Sequence, residues 1–259
     1  MKIVVCVKEV PGRDTRYQIL DHGREIDTSQ VSLEMSECDE HALEEGLKLK
    51  DRFGGEVTLL SAGSTGTEKT MRKGLAMGAD RGILVADDAG RLASPFLVAA
   101  AFRSVLESEA WDLILTGTQS DDWGNAQTGV ILAEYLSIPH ATIVMQLDAR
   151  PEDGTVRALR EMESGWFQWL ELQLPSLLTI QAGSSPVRYA SLKGIMQAKN
   201  KPIRRVPVDD LTIDEALPSF EILGLYSPRI ERKAEMLQGS TDEVVAQLVD
   251  RLRNEAKVI

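Results

Sequence analysis

Cysteine is scarce in this chain of 259 residues: it has two, Cys6 and Cys38. Two thiols cannot build a disulfide framework, and their number fits a reducing compartment. Long apolar runs are missing as well. None approaches the roughly 20 residues that a membrane-spanning helix needs, and the opening "MKIVVCVKEV" is too short, and lacks the cleavage site, to be a signal peptide. Positive charge is the minority sign, with 29 Lys and Arg against 40 Asp and Glu and a net charge of -11. That balance argues against nucleic acid as the main partner, because phosphate backbones need a basic face. The expectation is a soluble cytoplasmic protein that inserts into no membrane. Catalytic motifs are absent too. There is no G-x-G-x-x-G after the first strand, no G-x-x-x-x-G-K-[ST] and no G-x-S-x-G. His22, His41 and His140 lack metal-ligand spacing and read as surface or helix-end residues. Cys6 and Cys38 read as buried structural thiols, and Glu44 and Glu45 as a solvated helix face.

What is present is enough apolar residue, 43% of the chain, to bury a full core. Met1–Val7 reads as a strand covered on both faces. "DEHALEEGLKLKDRFGG" follows as a helix with Ala42, Leu43, Leu47 and Phe53 on one side. "EVTLLSAG", "RGILVAD" and "WDLILTG" are further strands, and "TEKTMRKGLAMGAD", "SPFLVAAAFRSVLES" and "NAQTGVILAEYLSI" further helices. Ser94 and Pro95 stand as N-cap and first residue of the third helix. Strand and helix thus alternate four times with short connections, the pattern of a doubly wound α/β sheet.

After Pro139 the rhythm changes. "ATIVMQLDA", "TVRALREME", "WFQWLELQL" and "PSLLTIQAG" have β character and extend the same sheet, with turns at Asp153-Gly154 and Ser164-Gly165. Residues 200–239 read as an extended arm. "STDEVVAQLVDRLRNEA" closes the chain as an amphipathic helix, with Ser240 and Glu243 spaced as a capping box and Val244, Val245, Leu248 and Leu252 as its apolar stripe.

Ligands of open α/β sheets bind at the carboxyl ends of the strands. Among those ends, "GTQSDDWGNAQTG" is the richest segment. Gly117 and Gly124 permit close backbone approach. Asn125, Gln127 and Thr128 stand where the next helix begins, whose free N–H groups and dipole suit a phosphate. Asp121 and Asp122 oppose an anion unless they bond a ribose or loop amides. A polar loop that simply caps the helix is the alternative reading.

Several stretches carry a resemblance. "VVCVKEVP", "LAMGADRGILV", "GTQSDDWGNAQTG", "ALREMESGWFQWLELQLPSLLT" and "PVRYASLKGIMQAKNKPI" are similar to motifs of the electron transfer flavoprotein β-subunit family, across nearly the whole chain. The resemblance implies a fold of the adenine-nucleotide-binding type, with residues 1–199 as the nucleotide domain and 200–259 as an arm and helix that contact an α subunit. It implies a structural AMP in this chain, or a second FAD in electron-bifurcating members, and the redox FAD mainly in the α subunit. The nucleotide would be lined by Cys6, Ser36, Cys38, Asp39, Ala62, Gly117, Asp122, Trp123, Gly124, Asn125, Ala126, Gln127, Thr128 and Gly129. No residue is implied as catalytic.

Departures from the family pattern bear on the nucleotide. "SECD" replaces the usual "NPFC" or "NPYD" at 36–39, and Asp39 agrees with the second form. Ala126 agrees with bifurcating members, but Trp123 stands where they have glycine and Thr128 where they have valine, which favours AMP. A tyrosine that many members offer to the flavin aligns with Arg13, with Tyr17 nearby, and Glu161 matches an acidic residue facing the α subunit. The segment from Tyr189 implies a recognition loop for acyl-CoA-type dehydrogenases, with Leu192 as anchor beside Ile195 and Met196 and a membrane quinone oxidoreductase as electron acceptor. A core role for these side chains is the alternative, best suited to Met196. A remoter reading is an adenine-nucleotide enzyme of the ATP pyrophosphatase-like fold, for which "VKEVPGRDTR" lacks the glycine- and serine-rich phosphate loop.

Overall fold

A computed structural model describes residues 1–29, 31–214, 216–227 and 234–259. Contacts divide the chain into one unit from Met1 to Leu223 and another from Gly224 to Ile259.

The first unit is built on a nine-stranded sheet. Its strands are β1 (Lys2–Cys6), β4 (Glu56–Gly63), β5 (Arg81–Ala86), β6 (Leu113–Gly117), β7 (His140–Arg150), β8 (Thr155–Glu161), β9 (Phe167–Gln173), β10 (Ser176–Ile180) and β11 (Ile203–Pro207), in the order β11-β5-β4-β1-β6-β10-β7-β8-β9. Every pairing from β11 to β7 is parallel, and β7, β8 and β9 form an antiparallel meander. β2 (Glu9–Pro11) and β3 (Leu33–Met35) make a separate antiparallel pair.

The apolar run of β1 explains its central place. Ile3 and Val5 join the cluster that contains Leu43 and Leu47 of α1 (Glu37–Phe53) and Met71 and Leu75 of α2 (Glu68–Met77). Val4 and Cys6, pointing the other way, join Phe102 and Val105 of α3 (Pro95–Leu106) and Leu132 of α4 (Thr128–Leu136). A strand buried on both faces has no use for alternation, so its sequence is continuously apolar. The chain therefore winds both ways from β1, and β1 and β6 are neighbours whose following helices lie on opposite faces. Their carboxyl ends form the topological switch point.

Two elements depart from expectation. Residues 203–207, assigned by pattern to the arm, form β11 against β5 at the sheet's edge. Residues 192–198 form a short helix, α5 (Leu192–Ala198), capped by Ser191 Oγ, which accepts from Gly194 N–H at 3.0 Å. Of the arm, residues 215 and 228–233 lie outside the described residues. In the second unit, α6 (Thr241–Asn254) carries the Ser240–Glu243 capping box, and its Val245, Leu248 and Val249 are exposed. Among the described residues no helix is long and apolar enough to cross a membrane.

Candidate functional site

The switch point is spanned by one side chain. Asp39, in the first turn of α1, accepts Lys8 N–H and Gly117 N–H, each at 2.8 Å, one on each carboxylate oxygen. Burial pushes its carboxyl up to about 7, against these two hydrogen bonds and the charge of Lys8, and Asp121 adds to the rise. Gly117 is glycine for a packing reason: a Cβ there would collide with Asp39 and Cys38. The close backbone approach foreseen at Gly117 is thus made by the chain's own α1.

The loop after β6 holds to the same place. Asp121 accepts Glu37 N–H at 2.8 Å, at the start of α1, while its own N–H donates to Ser36 Oγ at 3.3 Å. Lys8 Nζ reaches both oxygens of Asp122 at 2.7 Å, and Trp123 N–H donates to Asp122 at 2.8 Å. Burial works against the charge of Asp122, but the bonds from Lys8 and Ser120 outweigh it and hold the carboxyl below its usual range. Both loop carboxylates are therefore engaged within the chain, Asp121 by a backbone amide and Asp122 by an amide and by Lys8, whose charge offsets its own.

Downstream, the backbone turns at Gly124 and Ala126, which have φ of 60° and 54°. Residues 121–127 are exposed, and among the described residues the N–H groups of Asn125, Ala126, Gln127, Thr128, Gly129 and Val130 meet no acceptor. Unpaired amides at a helix start, with its dipole behind them, form an anion seat. Gly129 is buried, and a Cβ there would collide with the Thr116 hydroxyl of β6. Cys6 and Ser36 are buried and Ala62 half-buried at the ends of β1 and β4 and the start of α1. Burial pushes the Cys6 thiol well above its ordinary value, and raises that of Cys38. Trp123 rests against Phe220, with ring centroids 5.6 Å apart, so the strand-end loop and the segment after β11 meet.

Around Tyr189 the structure corrects the core reading. Tyr189 is 97% exposed, Leu192 83% and Met196 71%, and Ile195 is exposed as well. Met196, the residue best suited by pattern to the core, lies in water, and Ala198 alone of α5 is buried. Glu44 and Glu45 are also corrected. They are buried, not solvated: Glu44 accepts a forked pair of bonds from Arg188, and Glu45 accepts from Ser185. His41 is buried too, its Nε2 accepting Gly183 N–H at 3.1 Å. Polar side chains on a helix read as a wet face when their partners lie 140 residues away in sequence. Lys8 was legible at the end of β1, but its pairing with Asp122 and the place of Phe220 beside Trp123 again depend on residues far apart in sequence. Arg13 pairs with Glu37, Tyr17 is exposed and Glu161 ends β8, half-buried.

A doubly wound α/β unit with an anion-suited helix start at its switch point is thus the class of protein that the fold and site define. Residues 25–211 match the electron transfer flavoprotein domain. The chain is 34% identical over 264 residues to the electron transfer flavoprotein subunit beta of Methylophilus methylotrophus, covering 99% of each. It is 37% identical over 262 residues, 100% of each, to that of Bradyrhizobium diazoefficiens. To the acryloyl-CoA reductase electron transfer subunit gamma of Anaerotignum propionicum it is 31% identical over 268 residues, 97% of this chain and 98% of that one. The chain belongs to the electron transfer flavoprotein β-subunit family, a family of electron transport.

Proposed function

We propose that this chain is the β subunit of a heterodimeric electron transfer flavoprotein, pairing with an α subunit that carries the redox FAD. The family match along nearly the whole chain carries this reading. The chain itself holds a structural AMP, with the N–H groups of Asn125, Ala126, Gln127 and Thr128 receiving the phosphate. Cys6, Ser36, Cys38, Asp39, Ala62, Gly117, Asp122, Trp123, Gly124 and Gly129 shape the rest of the crevice. The donor set fits: amides without acceptors and a helix dipole favour a phosphate, while both neighbouring carboxylates are already bonded. AMP has no redox chemistry, so its work is to fill and fix the switch point.

Tyr189, Leu192, Ile195 and Met196 dock acyl-CoA or related dehydrogenases, and a membrane quinone oxidoreductase accepts the electrons. An apolar cluster with the exposed Lys193 and Lys199 beside it in the chain has the anatomy of a docking site. Residues 200–259, whose strand β11 joins the sheet of the nucleotide domain of residues 1–199, supply the arm and helix for the α subunit. The subunit works in the cytoplasm as a carrier, without catalytic residues of its own. Release and identification of the nucleotides of the purified heterodimer is the test. About one FAD and one AMP per complex are expected; two FAD and no AMP would assign the chain to the bifurcating type, with which Ala126 agrees.

A further inference from the structure

α5 has seven residues and turns its apolar side chains to water, and so short a helix does not hold itself in place. Its two ends are tied down instead. At the far end, Arg72 donates to the carbonyl oxygens of Ala198, at 2.6 Å, and of Lys201, and Lys201 Nζ donates to Leu75 O at 2.9 Å and to Ala79 O. At the near end the chain follows α1, where Gly183 N–H donates to His41 and Ser185 Oγ–H donates to Glu45 at 2.6 Å. Arg188 is the last tether before the exposed segment. Its backbone N–H and its Nε donate to Glu44 Oε2 at 3.1 and 2.8 Å, its Nη2 to Glu44 Oε1 at 3.0 Å, and Nη2 also reaches Asp51 at 2.9 Å. The Glu44 side chain is 5% exposed.

We propose that the Glu44–Arg188 pair is a positioning device for partner docking, in which Arg188 acts through Leu192 by fixing where the exposed face of α5 is presented. This rests on the docking role given above to Leu192. A buried ion pair is a weak source of stability compared with apolar side chains of the same size. What a guanidinium fork bonded to both oxygens of one carboxylate supplies is direction, which apolar packing does not. Here the fork is joined by a bond from the same residue's backbone N–H, so side chain and main chain are fixed together, four residues before Leu192. A segment held in its docking pose beforehand loses less freedom when a partner arrives. Arg188 is thus a positioning residue, and α1 is its base.

The test uses the purified two-subunit complex, with an acyl-CoA dehydrogenase and its acyl-CoA substrate as probe. Arg188→Lys keeps a charge beside Glu44 but cannot form the fork. It should raise the half-saturating concentration of the complex about tenfold, a change typical of a lost pose-fixing contact. The limiting rate, melting temperature and flavin content should stay at wild-type values. Combined with Leu192→Ala, it should add nothing to the effect of that substitution, because both act on one contact. Unchanged half-saturation in a variant of wild-type melting, a fully additive effect, or a loss that merely follows a smaller folded fraction would each overturn the proposal. If Arg188→Lys does not assemble, Glu44→Gln with Arg188→Met removes both charges together and is read in the same way. Leu192→Ala separates the two levels: no shift in that variant sinks the docking role and the positioning role together, whereas a shift there beside an unaffected Arg188→Lys sinks positioning alone.

Discussion

Asp39 accepts the N–H of Gly117 at 2.8 Å across the junction of β1 and β6, and its carboxyl is raised to about 7 chiefly by burial. An unfolded aspartate titrates near 4. Between these values the native state holds a proton that the unfolded state has lost, so stability falls as pH rises from about 4 to about 7 and levels off above. The slope from one such group is at most about 1.4 kcal/mol per pH unit. Denaturation of the complex across this range should show that decline, and Asp39→Asn should flatten it. Asparagine also turns an N–H2 towards one of the two amides, so the variant should melt lower at every pH. Identical slopes in the two proteins would mean that Asp39 carries no shifted proton.

Leu192 is 83% exposed, so its truncation removes little from the core. Leu192→Ala should leave the melting temperature and FAD content of the complex unchanged. Burying one leucine against a partner is worth roughly 1.5–3 kcal/mol, or about one to two orders of magnitude in affinity. Reduction by the dehydrogenase at limiting concentration should slow accordingly. A core leucine would instead cost about 2–5 kcal/mol of folding stability. A sharp drop in melting with normal transfer per folded complex would place Leu192 inside.

Cys6 should be inert. Burial, with the charge of Asp39 adding to it, disfavours its thiolate, which is the form that reacts. Iodoacetamide at pH 8 should leave Cys6 unmodified in the folded complex, while guanidinium should expose both cysteines to alkylation. Intact and peptide masses report the outcome, and rapid labelling of Cys6 in the native protein would show that the end of β1 opens.

The winding of this chain was legible because its causes are local. Continuous apolar runs marked β1, β4, β5 and β6, and caps such as Ser94 and Ser240 marked helix starts. At 117–129 the glycines marked positions of close approach, and at Gly117 that approach is made by Asp39 and Cys38 of α1, which no local pattern shows. What the pattern missed depends on distant pairing. β11 reads as polar arm because an edge strand with Arg204 and Arg205 exposed carries no apolar alternation. Glu44 looks like a wet residue until Arg188 is seen beside it. The apolar spacing of Leu192, Ile195 and Met196 suits a core as well as a docking face, and only the burial of α5 on α2 through Ala198 and Gly194 decides which side faces out.

Gly194 itself gives the sharpest local test. A Cβ at this position would collide with the carbonyl oxygen of Ala76, at the end of α2, and a backbone atom cannot step aside as a flexible side chain can. Alanine is a better helix former than glycine by about 1 kcal/mol, and on propensity alone Gly194→Ala should stabilise α5. The collision sets the opposite sign. Relief requires α5 to lift from α2, which strains the bonds from Arg72 and Lys201 that tie its far end. Overpacking of this kind costs about 1–3 kcal/mol, enough to exceed the gain in propensity. Gly194→Ala should therefore lower the melting temperature slightly, speed amide exchange over residues 192–201 and weaken dehydrogenase docking more than it weakens the fold. A higher melting temperature with unchanged exchange would mean that α5 does not lie against Ala76 in solution.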